Sequence, residues 1–228
     1  MHPRARNAAT RVAATVAALL ALPAVLALAG CADDDWSSPH AAPTPVGVLA
    51  AGFVAPGSTP APESTITPAP GSWSGVHPPR GYRVALLTAG STAPTRALVD
   101  AVRSWARDEH VDLRTIDASD DLLGGIGKAL ALQPDLVLSA GDDLVDPLAT
   151  VTANHLDQQF LVVGAELAEP TSNVTAADWA GASFRGEGLG TSSTYDASSF
   201  TAARCGDAVR AGVAAVLTGH TGIVVWLG

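Results

Sequence analysis

Beyond residue 80 the apolar positions of the chain switch repeatedly between two periods. Short runs rich in β-branched residues, "YRVALL" (82–87), "VDLRTI" (111–116), "DLVLSA" (135–140), "QFLVV" (159–163) and "NVTAAD" (173–178), read as strands. Between them the spacing is helical. One helix opens at Thr95 or Arg96 and runs to Asp108 with Leu98, Val102 and Trp105 on one face. A second spans about Asp121 to Leu132, weakened by the pair Gly124 and Gly125, and a third, capped by Asp142 or Asp143, reaches His155. A fourth runs from Ala202 to Leu217 with Val209, Val213 and Val216 on one stripe, and "TGIVVWLG" (221–228) closes the pattern as a last strand. This alternation predicts an α/β fold: a doubly wound, mostly parallel sheet with helices on both faces, for which residues 80–228 suffice. The polar stretch "GEGLGTSSTYDASSFT" (186–201) is expected as a loop ahead of the fourth helix.

The first 79 residues follow other rules. Arg4, Arg6 and Arg11 precede an apolar run from Val12 to Leu28, interrupted by Pro23, and small residues then lead to Cys31. A charged start, an apolar middle and a small-residue end are the layout of an export signal, and the run is marginal as a permanent transmembrane helix. Its ending "LAGC" resembles the bacterial lipobox, where a diacylglycerol joins the cysteine thiol before cleavage on its N-terminal side. A plain signal peptide with an incidental cysteine is the alternative. Residues 1–30 are thus expected to be a lipoprotein signal peptide, with lipidation at Cys31 anchoring the protein to the outer face of the bacterial cell membrane. Residues 31–79 are dominated by Pro, Ser, Ala and Thr. Proline at that density denies helix and central strand their hydrogen bonds, so an extended tether is expected. Within it, "VGVLAAGFV" (46–54) and Trp73 are apolar enough to pack on the folded domain or touch the bilayer.

Charge and cysteine content narrow the function classes. The formal net charge is −9, and loss of the three leader arginines leaves 10 basic against 22 acidic residues, with Lys128 the single lysine. Nucleic-acid backbones are bound through clustered Arg and Lys, so no nucleic-acid partner is expected. If Cys31 carries lipid, Cys205 has no disulfide partner. It reads as a small buried apolar residue. A catalytic thiol needs a histidine or cationic setting, and "AARCGDAVR" offers only Arg204 and Arg210.

An open parallel sheet binds ligands outside the carboxyl ends of its strands, where the strand order switches. The stretches expected there are "TAGST" (88–92), "DASDD" (117–121), "SAGDD" (139–143) and "GAELAEP" (164–170). Thr88, Ser91, Thr92, Asp142 and Glu166 form the candidate ligand-binding rim. Such residues also have structural uses: Asp120 and Asp142 suit helix caps, and Gly90 and Gly141 suit turns. No metal site is expected from Asp142, Asp143 and Asp146, since the stretch lacks a Gly-centred ligand ladder ending in Glu. Gly186, Gly188 and Gly190 are spaced like part of a dinucleotide fingerprint but come too late in the unit, and "GSWSG" has Trp73 where a nucleophile elbow needs Ser. The sequon "NVT" at Asn173 reads as a coincidence at a strand edge. No nucleophile, base and orienter assemble, so binding is favoured over catalysis, and no cofactor is expected.

The stretch "DQQFLVVGAELAEPTSNVTAADWAGASFRGEGLG" (157–190) resembles the basic membrane lipoprotein family, the substrate-binding proteins of certain bacterial ABC importers, some of which carry purine nucleosides. Phe160, Asn173, Val174, Phe184, Glu187 and Gly190 fit the family's order, and "YRVALLTAG" and "DLVLSAG" match loosely as its first and third strands. Three departures stand out. The first loop, "TAGSTAPTRALV", lacks the aromatic that stacks on the ligand base; Gly164 stands where the family tends to have Asp; and a Ser-rich insertion displaces the helix after Gly190. The resemblance implies the N-terminal lobe of a type I periplasmic binding fold. In that fold the chain crosses a hinge after such a last strand to build a second lobe, so this sequence, ending there, is expected to form one lobe. The resemblance further implies a nucleoside-like small-molecule solute, an ABC permease partner and a second binding lobe from another chain or copy. A surface interaction or sensory module that kept one lobe and lost transport is the alternative.

Overall fold

The computed structural model of the chain describes Trp36, residues 41–182 and residues 195–228. The leader, Cys31, the glycines at 186, 188 and 190, and Phe184 and Glu187 of the family resemblance lie outside the described residues.

Residues 41–79 fold, where the sequence predicts a tether. β1 (Val46–Gly47) pairs antiparallel with β3 (Val76–His77), while β2 (Thr65–Ile66) joins the main sheet. Phe53 and Trp73 are 1% and 6% exposed and belong to the same core cluster as the sheet. Phe53 meets the His220 ring edge-on at 6.0 Å. Proline density did not prevent this, because two-residue strands need few N–H donors and Ala50 and Ala69 supply theirs to the carbonyls of Ser72 and Gly52. Packing of two large aromatic side chains outweighs the loss of regular hydrogen bonding.

Five strands begin one residue later than their patterns suggest, β4 (Arg83–Thr88), β5 (Asp112–Asp117), β6 (Leu136–Ala140), β7 (Phe160–Val163) and β8 (Val174–Trp179), and the last, β9 (Val224–Leu227), begins three residues later. With β2 they make a seven-stranded sheet in the order β2-β9-β8-β7-β6-β4-β5, every pairing parallel. Four helices connect them, α1 (Ala93–Asp108), α2 (Leu122–Ala131), α3 (Val145–Thr152) and α4 (Ala202–Leu217). On one face Leu98, Val102 and Trp105 of α1 and Cys205, Val209 and Val213 of α4 pack on Val84, Leu86, Leu138 and Leu161. On the other, Ile126 of α2 and Leu148 of α3 pack on Ala85, Leu87, Val137 and Val162. The fold is therefore α/β, a doubly wound parallel sheet.

Helix boundaries correct the sequence reading in three places. α1 starts a turn earlier, because the Thr92 hydroxyl accepts from the Thr95 N–H at 3.2 Å and Pro94 suits the first turn. α2 is capped by Asp121, not Asp120, its carboxylate accepting from the Gly124 N–H at 2.8 Å. α3 has no side-chain cap: Asp142 and Asp143 instead lie in a 3₁₀ turn, Asp142–Leu144, that precedes it. The Gly124-Gly125 pair that weakens α2 has a packing role, since a Cβ on Gly125 would stand 2.3 Å from that of Ala118. Cys205 is buried and unpaired, and burial pushes its thiol up to about 11.

Candidate functional site

The chain leaves β4 to one side to form β5, then returns past β4 to form β6 on the other. The sheet's order therefore switches between β4 and β6, and the loops leaving their carboxyl ends diverge. Register brings these ends level, with Thr88 opposite both Asp117 and Ala140. A cleft of about 510 Å³ opens there, lined by Ala89, Gly90, Ser119, Leu122, Asp142, Asp143, Asp146 and Pro147.

The loops forming the cleft are tied together by short-range chemistry. Gly141 has φ +127°, and a Cβ there would stand 2.8 Å from the Ala89 carbonyl oxygen, so only glycine lets the β6 loop press against the β4 loop. The Gly90 N–H donates to Ser119 Oγ at 3.1 Å, and that hydroxyl donates to Asp117 Oδ1 at 2.5 Å. The Ser119 N–H donates to the same carboxylate oxygen at 2.9 Å. These hydrogen bonds hold the Asp117 carboxyl below its ordinary range. Asp142 is shifted the other way. Burial raises its pKa, and the neighbouring charge of Asp143 raises it further.

An aromatic ladder reaches the same edge from the far side of the sheet's end. Trp179, fully buried at the end of β8, meets Phe200 edge-on with centroids 5.0 Å apart, and Phe200 meets Tyr195 at 6.0 Å. The segment is fixed by Trp179 Nε1 donating to Ser199 Oγ at 2.9 Å and by the Asp196 N–H donating to the Gly181 carbonyl at 2.8 Å. Asp196 Oδ1 accepts from the N–H and hydroxyl of Ser198, which lowers its own pKa. Tyr195, 42% exposed, has a phenol held above its usual range by burial and then by the charge of Asp142. Its ring therefore stands in electrostatic reach of the cleft's carboxylate.

Of the five rim residues chosen from sequence, Asp142 lines the cleft. Thr88 and Ser91 line an adjoining hollow of about 220 Å³ that shares Gly90 with it. Thr92 caps α1 and bonds Thr95 Oγ1 at 2.8 Å, so its hydroxyl turns into the helix. Glu166 is 3% exposed and is not among the residues lining either opening. Ser119, Asp143 and Asp146 were absent from the chosen rim, although "DASDD" and "SAGDD" contain the first two. Tyr195 stands in a Gly/Ser-rich stretch, where it and Phe200, five residues on, are the two aromatics that signal a packed corner. Among the described residues no group of three or more His, Cys, Asp or Glu side chains could hold a metal ion, and no helix is long and apolar enough to cross a membrane.

No protein-family model matches the chain, and no curated protein is detectably similar in sequence. Among solved structures, an ABC transporter solute-binding protein from Conexibacter woesei is similar over 43% of this chain and 35% of its own, at 20% identity and a TM-score of 0.37. A fragment described as a lipoprotein from Peptoclostridium difficile is similar over 59% of this chain and 97% of its own, at 18% identity and a TM-score of 0.42. An ABC transporter solute-binding protein from Aeropyrum pernix matches over 43% of this chain and 29% of its own, at 17% identity and a TM-score of 0.37. The chain thus spans about a third of the length of the two full solute-binding proteins.

Proposed function

We propose that this protein is an exported, lipid-anchored solute-binding lobe whose switch-point cleft takes a small polar solute bearing hydrogen-bond donors. One observation carries the reading: the cleft sits outside the carboxyl ends of β4 and β6, where the strand order reverses, and three carboxylates line it. Burial and then the neighbouring charge of Asp143 both oppose the charged form of Asp142 there. A donor-bearing or cationic group placed between them relieves both costs, while a phosphate or carboxylate group adds to them. Tyr195, partly exposed and under the influence of the Asp142 charge, supplies an aromatic face for a solute with a planar or ring portion, and the ribose hydroxyls and base of a nucleoside meet this description. The family resemblance supports the same class and supplies the partners of the reading, an ABC permease and a second lobe. The lipobox supports Cys31 as the anchor.

Calorimetric titration with adenosine, guanosine, inosine, simple amines and phosphorylated controls tests the cleft. An open cleft covers one side of a solute, so the uncharged and cationic compounds are expected to bind at roughly micromolar affinity or weaker, and the phosphorylated ones not at all. Asp142→Asn, which removes a charged acceptor, is expected to weaken binding by about tenfold or more. Binding that prefers the phosphorylated compounds, or that ignores Asp142, contradicts the assignment. The anchor is tested separately: wild-type protein is expected to fractionate with membranes, and Cys31→Ala to accumulate as precursor or be released.

A further inference from the structure

The chain is acidic overall, but its basic residues are not spread evenly. Between residues 80 and 117, which span β4, α1 and the edge strand β5, stand Arg80, Arg83, Arg96, Arg103, Arg107 and Arg114 against five acids, whereas the rest of the sequence after residue 30 has four basic residues against seventeen acids. Arg96, Arg103 and Arg107 are exposed, and their spacing of seven and four residues sets them on one stripe of α1. Asp100 lies between the first two, and two of the five acids in the segment have partners: Asp108 pairs with Arg210 at 3.3 Å, and Glu109 lies 3.0 Å from His77 Nδ1. Hollows of about 220 Å³ and 390 Å³ flank this stripe, with Arg103 common to both.

A second observation locates the N-terminal end of the folded unit at the same edge. Trp36, 3% exposed, is clamped there: its Nε1 donates to Asp112 Oδ2 at 2.6 Å, and its carbonyl accepts from Arg83 Nη1 at 3.0 Å. The Arg114 guanidinium lies over its ring, 4.4 Å from the centroid. Trp36 is five residues from Cys31. Five residues of chain reach at most about 18 Å.

We propose that the α1–β5 edge of this domain is its membrane-facing surface, seated on anionic phospholipid headgroups. The inference rests on Cys31 being the lipid anchor: a short connection from Cys31 to a clamped Trp36 confines the edge to the headgroup zone, and the arginine stripe then settles on it. Each basic side chain near an anionic surface contributes about fivefold to partition. The acidic remainder of the domain, including the cleft's Asp142, Asp143 and Asp146, is repelled by the same surface and faces the solvent where solutes arrive.

The test uses the full lipidated protein reconstituted through its own anchor into vesicles of phosphatidylcholine with or without about 30 mol% phosphatidylglycerol. Nitroxide labels on Thr115→Cys in β5 and on Thr65→Cys in β2 report depth, since Cys205 is buried and a lipidated Cys31 is blocked. These strands are the two edges of the sheet, six inter-strand steps and about 29 Å apart. With anionic lipid the Thr115 label is expected to lie at the headgroups and the Thr65 label in water. The triple variant Arg96→Gln, Arg103→Gln, Arg107→Gln is expected to release the Thr115 label, the combined loss being on the order of a hundredfold in partition. Equal depth of the two labels in protein that still floats with the vesicles overturns the surface and leaves the anchor standing. Protein that does not float with phosphatidylcholine vesicles refutes the anchor, and the surface proposal, which rests on it, falls with it.

Discussion

Asn173 shows how much a single buried polar residue can do. Only 1% exposed, it places its amide nitrogen 3.2, 2.9 and 2.9 Å from the carbonyls of Thr152, His155 and Gln158, while its oxygen accepts from Thr171 Oγ1 at 2.6 Å. The sequon it heads is thus a loop clamp between α3 and β8. Asn173→Ala removes all of these hydrogen bonds at once and is expected to destabilise the domain by about 2–3 kcal/mol, read by denaturant unfolding. A change under about 0.5 kcal/mol would mean that water substitutes for the amide. Asp142 makes a different prediction. Its folded pKa is raised, so the folded state keeps a proton that the unfolded chain has released, and its contribution to stability falls as pH rises from the ordinary carboxylate value through the raised one. Asp142→Asn is therefore expected to raise the melting temperature at neutral pH, with the gain fading as the pH drops toward about 4. A gain independent of pH would place its origin elsewhere.

At the scale of elements, the decisive finding is that β2 and its flanks belong to the domain. The Glu63 N–H donates to the Gly222 carbonyl at 2.7 Å and the Val224 N–H to the Ser64 carbonyl at 3.0 Å, extending the sheet past β9. An edge strand left open is a site for unwanted pairing, and this short strand covers it. Phe53→Ala is expected to cost about 3–5 kcal/mol, the range for deleting a buried aromatic side chain. A chain begun at residue 80 loses Phe53, Trp73 and β2 together and is expected to melt well below the longer protein. Indistinguishable melting of the two in calorimetry would show that residues 41–79 are an accessory to the fold.

On the scale of the whole molecule, two regions of unlike charge meet at Gly90, which borders both the cleft and the hollow beside the arginines of α1. Strand order and register bring three carboxylates and, through the aromatic ladder, Tyr195 to one end of the sheet. Helix α1 carries three exposed arginines, Arg96, Arg103 and Arg107, along one stripe beside β5. A solute-binding lobe held at a membrane needs a free cleft and a seated edge, and the proposed orientation follows from this division of charge. Salt distinguishes the two functions: raising ionic strength to about 0.5 M should weaken the edge's hold on anionic lipid far more than it weakens short hydrogen bonds within the cleft.

The sequence by itself determined the elements of the main sheet. Apolar runs rich in β-branched residues placed the starts of β4 to β8 within a residue and that of β9 within three, and the stripe of Val209, Val213 and Val216 fixed α4 at Ala202–Leu217, because burial is written in local composition and spacing. The carboxyl edge as the place to look was legible too, and Asp142 with it. Tertiary structure alone decided the rest. The stretch 46–54 and Trp73 stand out in sequence as apolar enough to pack, but whether they meet the domain or the bilayer, and that Trp36 is held at all, local composition cannot report, because the pockets that receive the rings are built by distant residues. The cleft needs Gly141 against Ala89 and Ser119 against Gly90, contacts between loops distant in sequence. Tyr195 is held against Phe200 and, through it, Trp179, by packing that no spacing of residues along the chain encodes.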